Sequence, residues 1–296
     1  MKKLLSLLLI SGIALGAQAQ DKKFQIGLVL GTTINSAKIQ TSEIEKQGVG
    51  GGFTIGIGGN YMFSENVGLA SGVQFDLESF KINYGSNAPS SSGRVFYGYN
   101  DSDILKYDKD TDAIEDLDTM KVMELTTRKF KGKYVTVPLF LKFQTNLIGK
   151  FKYYGKFGLR TSFLVGSRFD DTGYNAMYSP TSNTFIRLPE SVNTNELRVE
   201  MKPVTLLKGL TPIRTAIGIY GGAEWNFTGS TFLYLEAGFN YGITPSMQIE
   251  SGHLVNQIDD AHAGGGVYGE GALSRMALDI KNNPQHLFEI KLGLLF

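Results

Sequence analysis

Along most of the chain apolar residues recur at every second position, the period of a β-strand. Eight segments carry this pattern. The first, about 24–35, puts Phe24, Ile26, Leu28, Leu30, Thr32 and Ile34 on one face. The second, about 51–63, aligns Phe53, Ile55, Ile57, Gly59, Tyr61 and Phe63. The third, about 67–84, sets Val67, Leu69, Val73, Phe75 and Leu77 against Gln74, Asp76 and Glu78. The fourth, about 133–145, presents Val135, Val137, Leu139, Leu141 and Phe143. The fifth, about 151–169, alternates Tyr153, Phe157, Leu159, Phe163 and Val165 with Lys156, Gly158, Arg160 and Ser162. The sixth is about 211–227 and the seventh about 231–247. In the eighth, 285–296, Phe288, Ile290, Leu292, Leu294 and Phe296 share one face, with Glu289 and Lys291 on the other.

The connections alternate in length. Short turns are expected at 64–66, 146–150 and 228–230, and long linkers at 36–50, 85–132, 170–210 and 248–284. That alternation is the habit of an outer-membrane barrel, with short periplasmic turns and long outer loops. A final strand that is apolar on one face would be an aggregation-prone edge in an open sheet, whereas a closed barrel has no edge. The expected fold is all-β: an eight-stranded antiparallel up-and-down transmembrane β-barrel with long extracellular loops. An even strand number puts both termini on the periplasmic side.

The beginning of the chain agrees. Lys2 and Lys3 precede an apolar run from Leu4 to Leu15, and Ala17-Gln18-Ala19 has the form of a cleavage site. Residues 1–19 therefore read as a secretory signal peptide and 20–296 as the barrel domain. No cysteine follows the cleavage site, which argues against a lipoprotein.

Composition narrows the chemistry. With no cysteine, disulfides, thiolate metal sites and cysteine nucleophiles are excluded. Without Lys2 and Lys3 the chain has 27 basic and 28 acidic residues, a net charge of −1. Nucleic acid is not an expected partner, since it calls for a strong basic excess. A soluble sandwich or lipocalin-like barrel is the competing architecture, and it inverts the faces, with apolar residues inside. Asp76, Glu78, Lys142, Lys156, Arg160, Glu224, Glu236, Glu289 and Lys291 all lie in phase opposite to the apolar face. In a narrow barrel they would pair and fill the lumen. In a sandwich they would be the wet face. Alternation alone does not separate the two, but the leader, the loop lengths and the terminal Phe296 favour the membrane barrel.

The segment Tyr134-Val135-Thr136-Val137-Pro138-Leu139-Phe140-Leu141-Lys142 resembles a strand of the PorT-like family of outer-membrane β-barrel proteins. Gly155-Lys156-Phe157-Gly158 is similar to that family's next strand. The resemblance implies an outer-membrane barrel of the porin-like kind. The family's founding member assists a secretion system, a role that fold likeness does not carry over; the role expected here is to anchor or support a surface or secretion partner. Pro138 lacks a ladder donor and predicts a bulge or a local break in pairing that shapes the barrel wall.

Catalytic and metal-binding readings are weaker. The longest linker holds Asp101, Asp103, Asp108, Asp110, Asp112, Glu115, Asp116 and Asp118. Asp108-x-Asp110-x-Asp112 opens like a calcium loop, but Ala113 replaces the required Gly and Thr119 the closing Glu. A solvated loop is the better reading. His253 and His262, with Ser251, Asp259 and Asp260 nearby, are the raw material of a lipid-acting hydrolase. His286 opens the last strand. Proximity in sequence does not make a triad, and no catalytic, cofactor or metal role is assigned. The glycine runs 48–52, 56–59 and 264–266 lack the Gly-Lys-Ser/Thr ending of a phosphate loop. Tyr61, Phe63, Tyr153, Tyr154, Trp225, Phe227 and Phe232 flank the short turns and suit an aromatic girdle.

The expectation is thus a non-enzymatic barrel in the cell outer membrane. Its expected partners are outer-membrane lipid and lipopolysaccharide, and a protein at the loops or turns. A small solute channel is the first alternative, a lipid-modifying barrel enzyme the second, and a soluble exported binding barrel the third.

Overall fold

The computed structural model describes residues 23–37, 46–47, 49–84, 94–100, 103–105, 107–108, 113–114, 121–179, 184–189, 197–201, 208–249, 254–258, 274–277 and 284–296. Eight long strands carry the fold: β1 (Phe24–Ala37), β2 (Val49–Met62), β3 (Val67–Asn83), β4 (Lys121–Gln144), β5 (Phe151–Ser179), β6 (Ile213–Asn226), β7 (Phe232–Gly242) and β8 (Gln285–Leu295). Each pairs antiparallel with the next. The ring closes where β8 returns to β1, in a register from Gly27 opposite Leu295 to Ala37 opposite Gln285. The eight expected strands are therefore the eight staves of a closed barrel.

Three tight turns join β2 to β3, β4 to β5 and β6 to β7 at one end, here called the turn end. Val67 N–H donates to Ser64 Oγ at 3.1 Å in the first. Gly149 (φ 63°) and Gly229 (φ 79°) supply left-handed residues in the other two. In the third, Gly229 N–H also donates to the Asn226 side chain at 2.7 Å. The opposite end carries the long connections and is called the loop end.

The alternation divides inside from outside as the sequence implies. Leu28, Ile55, Val73, Leu139, Phe157, Leu235 and Leu292 are all more than 40% exposed on the outer wall. An apolar belt of this kind is compatible with lipid and not with water. Inward positions carry charge, amides, tyrosines, glycines and a few apolar side chains such as Phe140 and Phe232. Glycine is needed where a neighbour's ring fills the lumen: a Cβ on Gly238 would lie 2.0 Å from the Tyr220 ring. Pro138 breaks the ladder without shifting it. Ser71 still faces Leu139 and Gln74 still faces Thr136, and Ser71 Oγ donates to the Pro138 carbonyl at 2.8 Å. The register shifts lie in the β4–β5 ladder instead, with Val165 the extra residue on β5 and Thr126 the extra residue on β4.

Three sequence expectations need correction. The intervals 85–132 and 170–210 are not wholly loop, because β4 begins at Lys121 and β5 runs on to Ser179. A loop strand, Arg94–Asn100, pairs with β4 there, and Thr184–Arg187 and Leu197–Met201 pair with β5. The seventh strand stops at Gly242, short of Pro245, whose missing donor prevents it from continuing the ladder. Tyr154 and Phe232 point inward and are 6% exposed, so neither belongs to an aromatic girdle.

The extensions of β3, β4 and β5 reverse the pattern of the belt. Toward the loop end the outward residues become Lys81, Lys129, Lys131 and Arg168, while Phe80, Ile82, Phe130 and Phe169 turn inward. Below this level the outer wall is apolar and the charged and amide groups lie inside, together with two small buried clusters, Val29, Phe232, Tyr234 and Leu295, and Ala70, Phe140 and Tyr220. Above it the barrel is built like a water-soluble protein, which places the lipid boundary near Ser79 on β3 and Lys133 on β4.

If Leu139 faces the middle of the bilayer, Leu139→Arg costs about 2–4 kcal/mol of folding stability. Urea unfolding in lipid vesicles measures this. A loss below about 1 kcal/mol would place Leu139 at an interface instead.

Candidate functional site

The lumen and the cap above it hold the polar chemistry of the molecule. Near the turn end, Lys142 pairs with Glu224, both fully buried. Lys156 Nζ lies 2.7 Å from Glu236 Oε2, and the Tyr154 hydroxyl donates to the same oxygen at 2.9 Å. Further up, Lys291 Nζ is 3.0 Å from Glu289 Oε2, and Tyr220 and Asn240 donate to that carboxylate as well. Arg160 crosses the lumen to Asp76 at 2.5 Å, Glu78 at 3.4 Å and Glu289 at 3.5 Å. Thr54 and Thr136 also donate to Asp76. Arg214 reaches Glu78 at 2.8 Å from β6 and lies 3.8 Å over the Tyr134 ring.

The ion-paired set is balanced, with Asp76, Glu78, Glu224, Glu236 and Glu289 facing Lys142, Lys156, Arg160, Arg214 and Lys291, and Lys152 adds one further inward cation over the Phe232 ring at the turn end. A buried charge is tolerated only when it is paired and its remaining donors and acceptors are satisfied. A cavity of about 40 Å³ remains between Tyr154, Lys156, Tyr220, Glu224, Glu236 and Lys291. That is room for a few water molecules. A second, of about 10 Å³, lies beside Arg160, Arg214 and Gln285.

Above the lipid boundary an apolar cluster lies over the lumen. Phe80 stacks on Phe130, with ring centroids 4.9 Å apart, and Phe130 meets Phe169 edge-on at 5.3 Å. Ile82, Tyr97, Met123, Leu125 and Tyr134 pack around them. One ion pair sits in this cluster. Arg128 holds Asp171 in a fork, Nε to Oδ1 at 2.7 Å and Nη2 to Oδ2 at 2.6 Å, with both side chains fully buried. The Tyr97 hydroxyl donates to Asp171 Oδ2 at 2.6 Å, and the Phe169 ring lies 4.5 Å from the guanidinium carbon. Bidentate geometry of this kind is strong as well as specific. Burial and the adjacent Asp171 carboxylate push the Tyr97 hydroxyl well above its usual pKa, and burial does the same to Tyr84. Burial opposes the Arg128 charge, but Asp171 outweighs it and holds that pKa above the ordinary arginine value.

All nine charged residues expected on the inner face lie there and converge. Arg214, Arg128 and Asp171 were not among them. Arg214 occupies an inward phase two residues beyond Pro212, where the strand pattern was already weak. Arg128 and Asp171 fall in intervals read as loop. None of the five residues of the hydrolase reading is among the described residues. His286 faces outward and stacks on Tyr241 at 4.6 Å, while His253, His262, Ser251, Asp259 and Asp260 lie outside the described residues. So do the acidic side chains from Asp101 to Asp118, the 264–266 glycines and the leader 1–19.

A family model described as outer membrane protein beta-barrel domain matches residues 17–248. Comparison with curated proteins finds no match. Among solved structures the chain is similar to Neisserial surface protein A, at 10% identity and TM-score 0.31, covering 93% of this chain and 96% of that one. It is also similar to the outer membrane protein OprG from Pseudomonas aeruginosa, at 12% identity and TM-score 0.33, covering 92% and 95%. A third is the outer membrane protease OmpT from Escherichia coli, at 11% identity and TM-score 0.28, covering 94% and 97%.

Removing one partner of the capped ion pair leaves the other charge stranded. Arg128→Met therefore costs about 3–5 kcal/mol, and Arg128→Met with Asp171→Leu recovers most of that loss. Equal losses in the single and double variants would mean that cap packing, not charge pairing, sets the cost. The tyrosines give the cap an alkaline limit. Their folded pKa values exceed the unfolded value of 10.0, so their contribution is complete below that pH and is lost as pH rises toward the folded values. Ultraviolet titration should show Tyr84 and Tyr97 resisting ionisation until the cap opens, and Tyr97→Phe should raise the pH of that opening.

Proposed function

The chain belongs to the outer membrane protein β-barrel family, and from that premise we propose a non-enzymatic, PorT-like barrel with a closed lumen that anchors or supports a protein partner. It resides in the outer membrane. The observation that carries the reading is the ladder of ion pairs across the bore, from Lys142 and Glu224 up to Arg214 and Glu78. An ion entering would have to replace those pairs at several levels, and the free space beside them is measured in tens of cubic ångströms. Eight strands leave little bore even before side chains are added. A body filled in this way works as a membrane mount, so the surfaces left to act are the turns, the loops and the outer wall.

The loop end is assigned to the cell exterior and the turn end, with both termini, to the periplasm. The supports are the lengths of the connections and the soluble-type construction of the cap.

Purified, detergent-folded protein in a planar bilayer should give no stable conductance steps. Reproducible single-channel steps would overturn the closed lumen and promote the channel reading. Because the chain has no cysteine, orientation can be read cleanly with single introduced thiols. A membrane-impermeant maleimide should label Lys121→Cys on intact cells and leave Glu65→Cys unlabelled until the outer membrane is breached. The reverse pattern would invert the topology.

A further inference from the structure

The outer wall carries a feature that a filled lumen does not use. Where β3, β4 and β5 leave the apolar belt, their outward residues include Lys81, one outward position beyond Ser79, then Lys133, Lys131 and Lys129, then Arg168. Register sets these cations against each other. Lys81 stands directly opposite Lys129, and Lys131 directly opposite Arg168. Two carboxylates offset part of the charge: Asp170 pairs with Lys131, and Glu200 lies 3.4 Å from Arg168 with both groups about half exposed. Among the described residues no carboxylate lies within 4.0 Å of Lys81, Lys129 or Lys133. Like charges facing across a ladder destabilise it unless an anion bridges them.

Among the described residues the patch is one-sided: the outward residues at the loop end of β6, β7, β8 and β1 are Ile213, Tyr241, His286 and Ser36. Its height is equally specific. Lys133 is two residues beyond Val135 of the belt, about 7 Å along the strand. The headgroup layer beyond the hydrocarbon is about 5–8 Å deep. Strand tilt and flexible stems bring Lys131, Lys129 and Lys81 within reach of the same layer.

We propose that this face of β3, β4 and β5 is a binding site for the phosphate groups of a lipid headgroup in the leaflet at the loop end. Lys81 and Lys129 clamp one phosphate between opposed ammonium groups, and Lys133 holds the headgroup at the edge of the hydrocarbon. Leu77, opposite Lys133, and Val135 beside it receive the first part of the acyl chains. Which leaflet this is rests on the orientation given above. The site itself requires only that the barrel is embedded.

The test uses the full folded barrel in nanodiscs of phosphatidylcholine doped with diphosphorylated lipid A, with retained glycolipid counted by native mass spectrometry. Lys81→Gln, Lys129→Gln and Lys133→Gln should each weaken retention about fivefold, and together far more. Lys150→Gln at the turn end should leave it unchanged. Dephosphorylated lipid A should be retained weakly by every form, and millimolar inorganic phosphate should not displace the lipid. Wild-type retention by the triple variant would overturn the proposal, as would equal retention of the dephosphorylated lipid. Displacement by inorganic phosphate would also overturn it in favour of a soluble-anion site. Should the triple variant fail to fold, the single variants and Lys129→Arg, which keeps the charge, decide the matter. Lipid is offered on both leaflets of a nanodisc, so failure here is distinct from an inverted topology, which the cysteine labels report.

Discussion

Closure of the ring is the constraint from which the rest of the structure follows. Hydrocarbon offers no partner to a backbone N–H or C=O, so a sheet can cross it only when its first and last strands pair. β1 and β8 do so from Gly27 opposite Leu295 to Ala37 opposite Gln285. Once the ring is closed, every strand must show one face to lipid and the other to a bore too narrow for bulk water. The apolar outward rows and the polar inward rows are two consequences of that single requirement.

The inward row then faces a condition of its own. A narrow lumen cannot hydrate isolated charges, so those present must balance and touch. Arg160 illustrates this: it joins Asp76 and Glu78 on β3 to Glu289 on β8, pulling opposite walls toward one point. Tyr220 on β6 ties Asn240 on β7 to Glu289 on β8, three adjacent strands, and it fits because Gly238 has no side chain where the ring lies. Large inward residues on one strand are thus matched by glycines on the next. The high glycine content belongs as much to lumen packing as to strand curvature.

The sequence made the belt legible and left the cap obscure, for one physical reason. Within the belt, lipid enforces apolar residues at every second position, and that signal marked β1, β2, β6 and β8 to within about two residues. Charged residues such as Lys142 and Glu224 were placed inside by phase alone. Beyond the belt nothing outside the strand demands an apolar residue, so Lys129, Lys131 and Asp170 took the outward positions and the segments read as loop. Residues 121–132 are strand nonetheless, held by pairing to β5 and to the strand Arg94–Asn100. Those contacts are distant in the chain, and no local pattern reports them. The Arg128–Asp171 fork was illegible on the same account, since its members meet only through that pairing.

The reversal of phase along β3, β4 and β5 reconciles two architectures that alternation alone could not separate. A membrane barrel and a soluble β-structure use the same period and differ only in which face is apolar. Each of these strands contains both. From Val67 to Leu77 β3 turns its apolar residues outward, and from Phe80 to Tyr84 it turns them inward. The residue pair at which the sense changes marks where the surrounding solvent changes from lipid to water. The same pair marks where an outward lysine first becomes affordable. Phe80 and Lys81 are therefore two readings of one boundary, one packing into the cluster over the lumen and the other turned to the outer wall.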